Sequence, residues 1–127
     1  MEEKTKEAKR FSIISRIKSS NNAWRGVLIL LKTTHNLWVH IFAAALAVYL
    51  GVLLNVSDTE WVLVILTIAL VFITEAFNTA IEIDINLTSP EYHPFARDTK
   101  DVAAGAVLVA SFAACLVGLI IFIPKIF

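Results

Sequence analysis

VAAGAVLVASFAACLVGLIIFIP, residues Val102 to Pro124, runs for 23 positions without an Asp, Glu, Lys or Arg. A bilayer core about 30 Å thick is crossed by about 20 helical residues, so this segment has the length and polarity of a membrane span. Upstream, Thr33 to Ser57 forms a 25-residue stretch equally free of charge, interrupted only by His35 and His40. Between the two, Trp61 to Thr74 is uncharged, and the apolar run continues through Glu75 and Glu82 to Ile83. The chain has 127 residues, 57% of them hydrophobic and 17% charged. That composition cannot cover the polar surface of a soluble domain. The expected fold is an all-α membrane protein. An N-terminal amphipathic surface helix over about 5–30 precedes three transmembrane helices over about 36–55, 60–86 and 99–123, all in one domain, 1–127.

The net charge is zero, yet eight of the eleven Lys and Arg residues lie in the first 32 positions. The short segment Asn55 to Glu60 has none, whereas the segment from Asp84 to Asp101 carries Arg97 and Lys100. The positive-inside rule then predicts a cytoplasmic N-terminus and an outer C-terminus, as an odd number of spans requires. The first 20 residues lack the continuous apolar core of a cleaved signal peptide. Phe11, Ile14 and Ile17 recur at helical spacing among basic residues, the pattern of a helix lying on an anionic membrane face. The other reading of this segment is a solvated charged tail. Cys115, alone in its span, reads as a packing residue. Trp24, Trp38 and Trp61 read as interface anchors, and the small residues from Ala103 to Gly118 as a helix-packing face.

Ionisable groups inside a span are costly and mark function by default. At 100° per residue, Asn78 lies about 60° and Glu82 about 20° from Glu75, and Asn86 falls on the same stripe. If Trp61 marks the outer interface, Glu75 lies about 21 Å further in and Glu82 about 32 Å in. A carboxylate in the inner half suits a general base acting on a weakly acidic alcohol. Glu82 and Asn78 offer hard oxygen donors suited to Mg²⁺. The competing use of such residues is hydrogen bonding between spans. Beyond the stripe, Pro90 and Pro94 predict a break and a short loop, with Asp98 or Thr99 capping the next helix and Asp101 in its first turn. Lys100 would stand near Glu82, where it could hold a phosphate, anchor to the membrane surface or pair with Asp98. No Walker-type loop, Gly-rich kinase loop, Cys/His cluster or nucleophile elbow is present, and no nucleic-acid partner is expected.

The block Glu75-Ala-Phe-Asn78-Thr-Ala-Ile-Glu82, the loop Ser89-Pro-Glu-Tyr-His-Pro and the run Lys100-Asp-Val-Ala-Ala-Gly-Ala-Val-Leu resemble the prokaryotic diacylglycerol kinase family. The loop and the run look closer to its undecaprenol kinase branch. The resemblance covers nearly the whole chain and implies a homotrimeric lipid kinase of the prokaryotic cell membrane. Its substrates would be ATP and a membrane lipid, its cofactor Mg²⁺, and its sites would lie between neighbouring subunits.

Residue by residue, the resemblance gives Glu75 the place of the catalytic base and Glu82 that of a metal-coordinating acid. Asn78 lies between them in the same site. Glu91, Tyr92, His93, Lys100 and Asp101 match positions that contact ATP, and Arg16 matches a nucleotide-contacting Arg across a gap. Two departures stand out. Thr34 occupies the place of a second metal-binding Glu, next to His35, and Asn86 replaces an Asp. The implied reaction is transfer of the ATP γ-phosphate to the hydroxyl of diacylglycerol or undecaprenol. The alternatives are a small proton-coupled transporter using Glu75 and a catalytically silent family member.

Overall fold

The computed structural model describes residues 12–127, and these are all-helical. Four helices follow in chain order: α1 Ile13–Thr33, α2 Leu37–Leu53, α3 Asp58–Thr88 and α4 Pro94–Ile126. The part of the expected surface helix before residue 12, Phe11 included, lies outside the described residues.

Helix α1 begins at Ser12, whose hydroxyl accepts from Ser15 N–H at 3.4 Å, and runs to Thr33. None of its side chains is buried. Thr34, His35 and Asn36 then break the helix, and α2 leaves at 104° to α1. A chain turning through a right angle at this point places α1 across the axis of the bundle rather than along it.

The 25-residue uncharged stretch therefore does not become one helix. Its first residues go into the kink and its last into the turn before α3, leaving 17 residues of α2, about 26 Å. Among the described residues α3 and α4 are each long and apolar enough to cross a membrane; α2 meets that test only when taken together with α1. The expected all-helical membrane architecture is thus present, with two spans that meet the test alone and a third if the bent pair is one span.

The turn from α2 to α3 is tight. Asn55 takes a left-handed φ of 50°, which Asn tolerates better than most residues. Ser57 and Glu60 form a reciprocal capping box, with Ser57 N–H donating to Glu60 Oε2 at 2.8 Å and Glu60 N–H donating to Ser57 Oγ at 3.3 Å. Lys125 at the far end of α4 reaches the same Glu60 carboxylate at 3.2 Å. Beneath this junction Val56, Val64, Ile121 and Phe122 form the buried cluster, with Leu50, Leu54 and Trp61 packed on it. Trp61 is therefore part of the packing and not only an anchor.

At the opposite end α3 stops at Thr88, and Pro94 occupies the first turn of α4, where its missing N–H is no loss. The helix is capped by His93, whose Nδ1 accepts from Phe95 N–H at 3.2 Å. This corrects the sequence reading. Asp98 and Thr99 lie inside α4 rather than capping it, and Asp101 lies beyond the first turn. Helices α3 and α4 form the most extensive pairing, because Ala103 and Ala110, both buried, let the backbones approach. Cys115 is exposed on the single chain.

Candidate functional site

Glu75 is 3% exposed, the most deeply buried charged side chain among the described residues. It faces α2, where His40, in the first turn after the kink, brings Nε2 to 2.9 Å from Glu75 Oε1. One turn further along α3, Thr79 is also buried, and its hydroxyl lies 2.7 Å from that of Thr34. The kink between α1 and α2 is thus pinned to α3 by two polar contacts four residues apart. Thr34 is engaged there as a neutral hydrogen-bonding group.

The rest of the stripe turns to other partners. Asn78 Nδ2 donates to Glu82 Oε1 at 3.5 Å, while Asn78 Oδ1 is buried with no hydrogen bond. Asn78 lines a groove of about 640 Å³ between α3 and α4, together with Thr74, Phe77, Asp98 and Thr99. Glu82 is exposed. Asn86 meets α4, its Oδ1 accepting from Lys100 Nζ at 2.6 Å. Lys100 therefore pairs with Asn86 rather than with Asp98. Its partner is a neutral amide, which orients the ammonium without cancelling its charge.

The loop residues divide. Glu91 and Tyr92 are exposed, and Tyr92 is 77% exposed. His93 is the helix cap just described. Asp101 is exposed and lies 3.7 Å from Arg97 one turn earlier. Arg16 sits exposed in the first turn of α1, 18 residues before the kink and so about 27 Å along the axis from it. The fold thus gathers Glu75, Asn78, Glu82, Asn86 and Lys100 along the α3 stripe and its α4 flank, and leaves Arg16 at the far end of α1.

Among the described residues no three His, Cys, Asp or Glu side chains come together as a ready metal cage. Mg²⁺ does not need one, since it commonly takes one or two carboxylates with substrate phosphates and water. The exposed Glu82 carboxylate, with Asn78 donating to it, fits that pattern for an ion arriving with a nucleotide. His40 is the residue that sequence reasoning passed over. The available signal was a histidine inside an uncharged span, which is costly to place there without a partner.

The profile described as "Prokaryotic diacylglycerol kinase" matches residues 21–122. An undecaprenol kinase of Bacillus subtilis (strain 168) is 39% identical over 109 residues, which cover 86% of this chain and 89% of that protein. A diacylglycerol kinase of Synechocystis sp. is 37% identical over 105 residues, 82% of this chain and 60% of that one. The diacylglycerol kinase of Escherichia coli (strain K12) is 31% identical over 100 residues, 79% of this chain and 82% of that one.

Proposed function

Because the chain belongs to the prokaryotic diacylglycerol kinase family and is a membrane lipid kinase, we propose that it transfers the ATP γ-phosphate to the primary hydroxyl of undecaprenol. Diacylglycerol is the second substrate to offer. The similarity to the Bacillus subtilis undecaprenol kinase, over 89% of that protein, supports the order. The observation that carries the chemistry is a buried carboxylate, Glu75, two turns along one helix from an exposed one, Glu82.

Glu75 accepts the hydroxyl proton as the lipid oxygen attacks phosphorus. The lipid reaches it sideways from the bilayer, and water is kept from its carboxylate by α2 and the kink. Glu82, with Asn78 beside it, would hold the metal ion that accompanies the nucleotide phosphates on the aqueous side. Bound there with the nucleotide, Mg²⁺ would supply neutralisation of charge on the transferring group. Lys100, oriented by Asn86, adds a positive contact to the same phosphates. Glu91, Tyr92, His93 and Asp101 line the approach of the nucleotide. Arg16 acts on the nucleotide of a neighbouring subunit in a homotrimer, since its own kink lies about 27 Å away along α1. The N-terminus and the loop from Ser89 to His93 face the cytoplasm, where ATP is, and the C-terminus lies outside. Family membership lends no support to a proton-coupled transporter.

The test is labelled phosphate transfer from ATP by purified protein in lipid micelles with Mg²⁺, undecaprenol and diacylglycerol being offered in parallel. Labelled undecaprenyl phosphate in excess of phosphatidic acid is the expected result. Preference for diacylglycerol overturns the substrate assignment, and no labelled lipid from either leaves a silent family member.

A further inference from the structure

We propose that His40 is the positioning residue for the Glu75 base, an inference that rests on the kinase reading. Three observations carry it. His40 lies in the first turn of α2, immediately after the 104° break, so the kink itself brings it to α3. Its Nε2 sits 2.9 Å from Glu75 Oε1, within ordinary hydrogen-bond distance. Both side chains are largely shielded, at 20% and 4% exposure, where an unmatched polar group is costly.

The direction of the bond follows from the chemistry. A carboxylate acting as a base is ionised, and an ionised carboxylate only accepts hydrogen bonds, so Nε2 is the ring nitrogen that carries hydrogen. The terminal torsion of a Glu side chain is soft, so an unheld carboxylate samples many orientations. Holding Oε1 fixes the plane of the group and directs Oε2 toward the lipid hydroxyl. The same division of labour, a base oriented by a third group, recurs wherever a nucleophile must be deprotonated in place. Proton accounting is simple. The alcohol proton passes to Glu75 Oε2, the lipid oxygen forms a bond to the γ-phosphorus, and the bond from that phosphorus to the bridging oxygen breaks to release ADP. His40 keeps its own proton throughout.

A merely structural tie between α2 and α3 would lower stability without separating kcat from KM. The experiment uses the full-length protein in mixed micelles with saturating Mg-ATP and both lipids, comparing wild type, Glu75→Gln, His40→Leu and His40→Gln. His40→Leu is expected to keep its assembly and its KM for ATP within about twofold while kcat falls about 10- to 100-fold. His40→Gln, which restores an N–H donor, is expected to recover most of the loss. In parallel, ¹⁵N spectroscopy of the wild type is expected to show His40 in the Nε2–H form. Transfer by the wild type, lost in Glu75→Gln but undiminished in His40→Leu, overturns the role of His40 and leaves the kinase intact. So does a Gln variant no better than Leu. If His40→Leu does not assemble, an Nδ1–H form in the wild type overturns the role and an Nε2–H form supports it. No transfer by the wild type to either lipid overturns both readings.

Discussion

Glu75 and Lys100 occupy opposite kinds of surroundings, and substitution should separate their roles. Glu75 is enclosed between α3 and the start of α2 with His40 as its partner. Glu75→Gln keeps the volume and a hydrogen-bonding group but removes the basic oxygen. Turnover should fall by at least about 100-fold, the usual contribution of a general base, with elution of the folded oligomer unchanged. Phosphate-transfer assays beside size-exclusion chromatography check this. Lys100 is held at 2.6 Å by a neutral amide. Lys100→Met removes a charge-assisted contact of about 1.5–3 kcal/mol, so KM for ATP should rise roughly tenfold or more, with a smaller change in KM for lipid. Steady-state kinetics with each substrate varied in turn decide it. An unchanged KM for ATP would remove Lys100 from the phosphate site.

The four helices differ in what sets their ends. Helix α3 starts at a capping box visible as Ser57 and Glu60, three residues apart, and Ser57→Ala should lower the thermal midpoint through a loss of about 1 kcal/mol. The pairing of α2 with α3 depends on Gly51, because a Cβ there would lie 2.6 Å from Trp61 Cη2. Gly51→Ala therefore forces the indole out of its place over the buried cluster, at a cost of about 1–3 kcal/mol. Thermal unfolding in detergent should show a lower midpoint, and Trp61→Leu in the same chain should restore part of it. The α1–α2 break was harder to read. A boundary between about 30 and 36 was expected, but Thr33, Thr34, His35 and Asn36 carry no Pro or Gly to signal so sharp a bend. The bend is held by Thr34 on Thr79 and His40 on Glu75, partners 45 and 35 residues away. The start of α4 was misplaced for a related reason: Pro94 signals a break, yet it also opens a helix once His93 caps it.

On the scale of the whole molecule, one chain leaves most of its apolar surface uncovered. Only 22% and 17% of the most apolar windows of α3 and α4 are buried within it. Lipid covers such surface, and so do copies of the chain. The groove beside Asn78 and the distance from Arg16 to its own kink both suit sites shared between subunits. Native mass spectrometry from mild detergent should give three chains per particle. Mixing inactive Arg16→Ala subunits with inactive Glu75→Gln subunits should restore measurable transfer if each site draws on two chains. Particles of one chain with full activity would exclude a shared site.

Polarity and spacing along the chain were enough to establish a helical membrane protein with a carboxylate stripe. The reason is that a bilayer imposes a length on apolar segments and a penalty on buried charge, both of which are local properties. The blocks around Glu75 and Lys100 were likewise legible, since each motif lies within a few helical turns. Tertiary structure alone decided that the stripe divides, with Glu75 taken by His40, Thr79 by Thr34 and Asn86 by Lys100. Positions on one helix face differ by tens of degrees, and which neighbour each meets depends on where the other helices bend and pack. No local pattern contains that information, because the bend of α1 into α2 is itself stabilised by the contacts it creates.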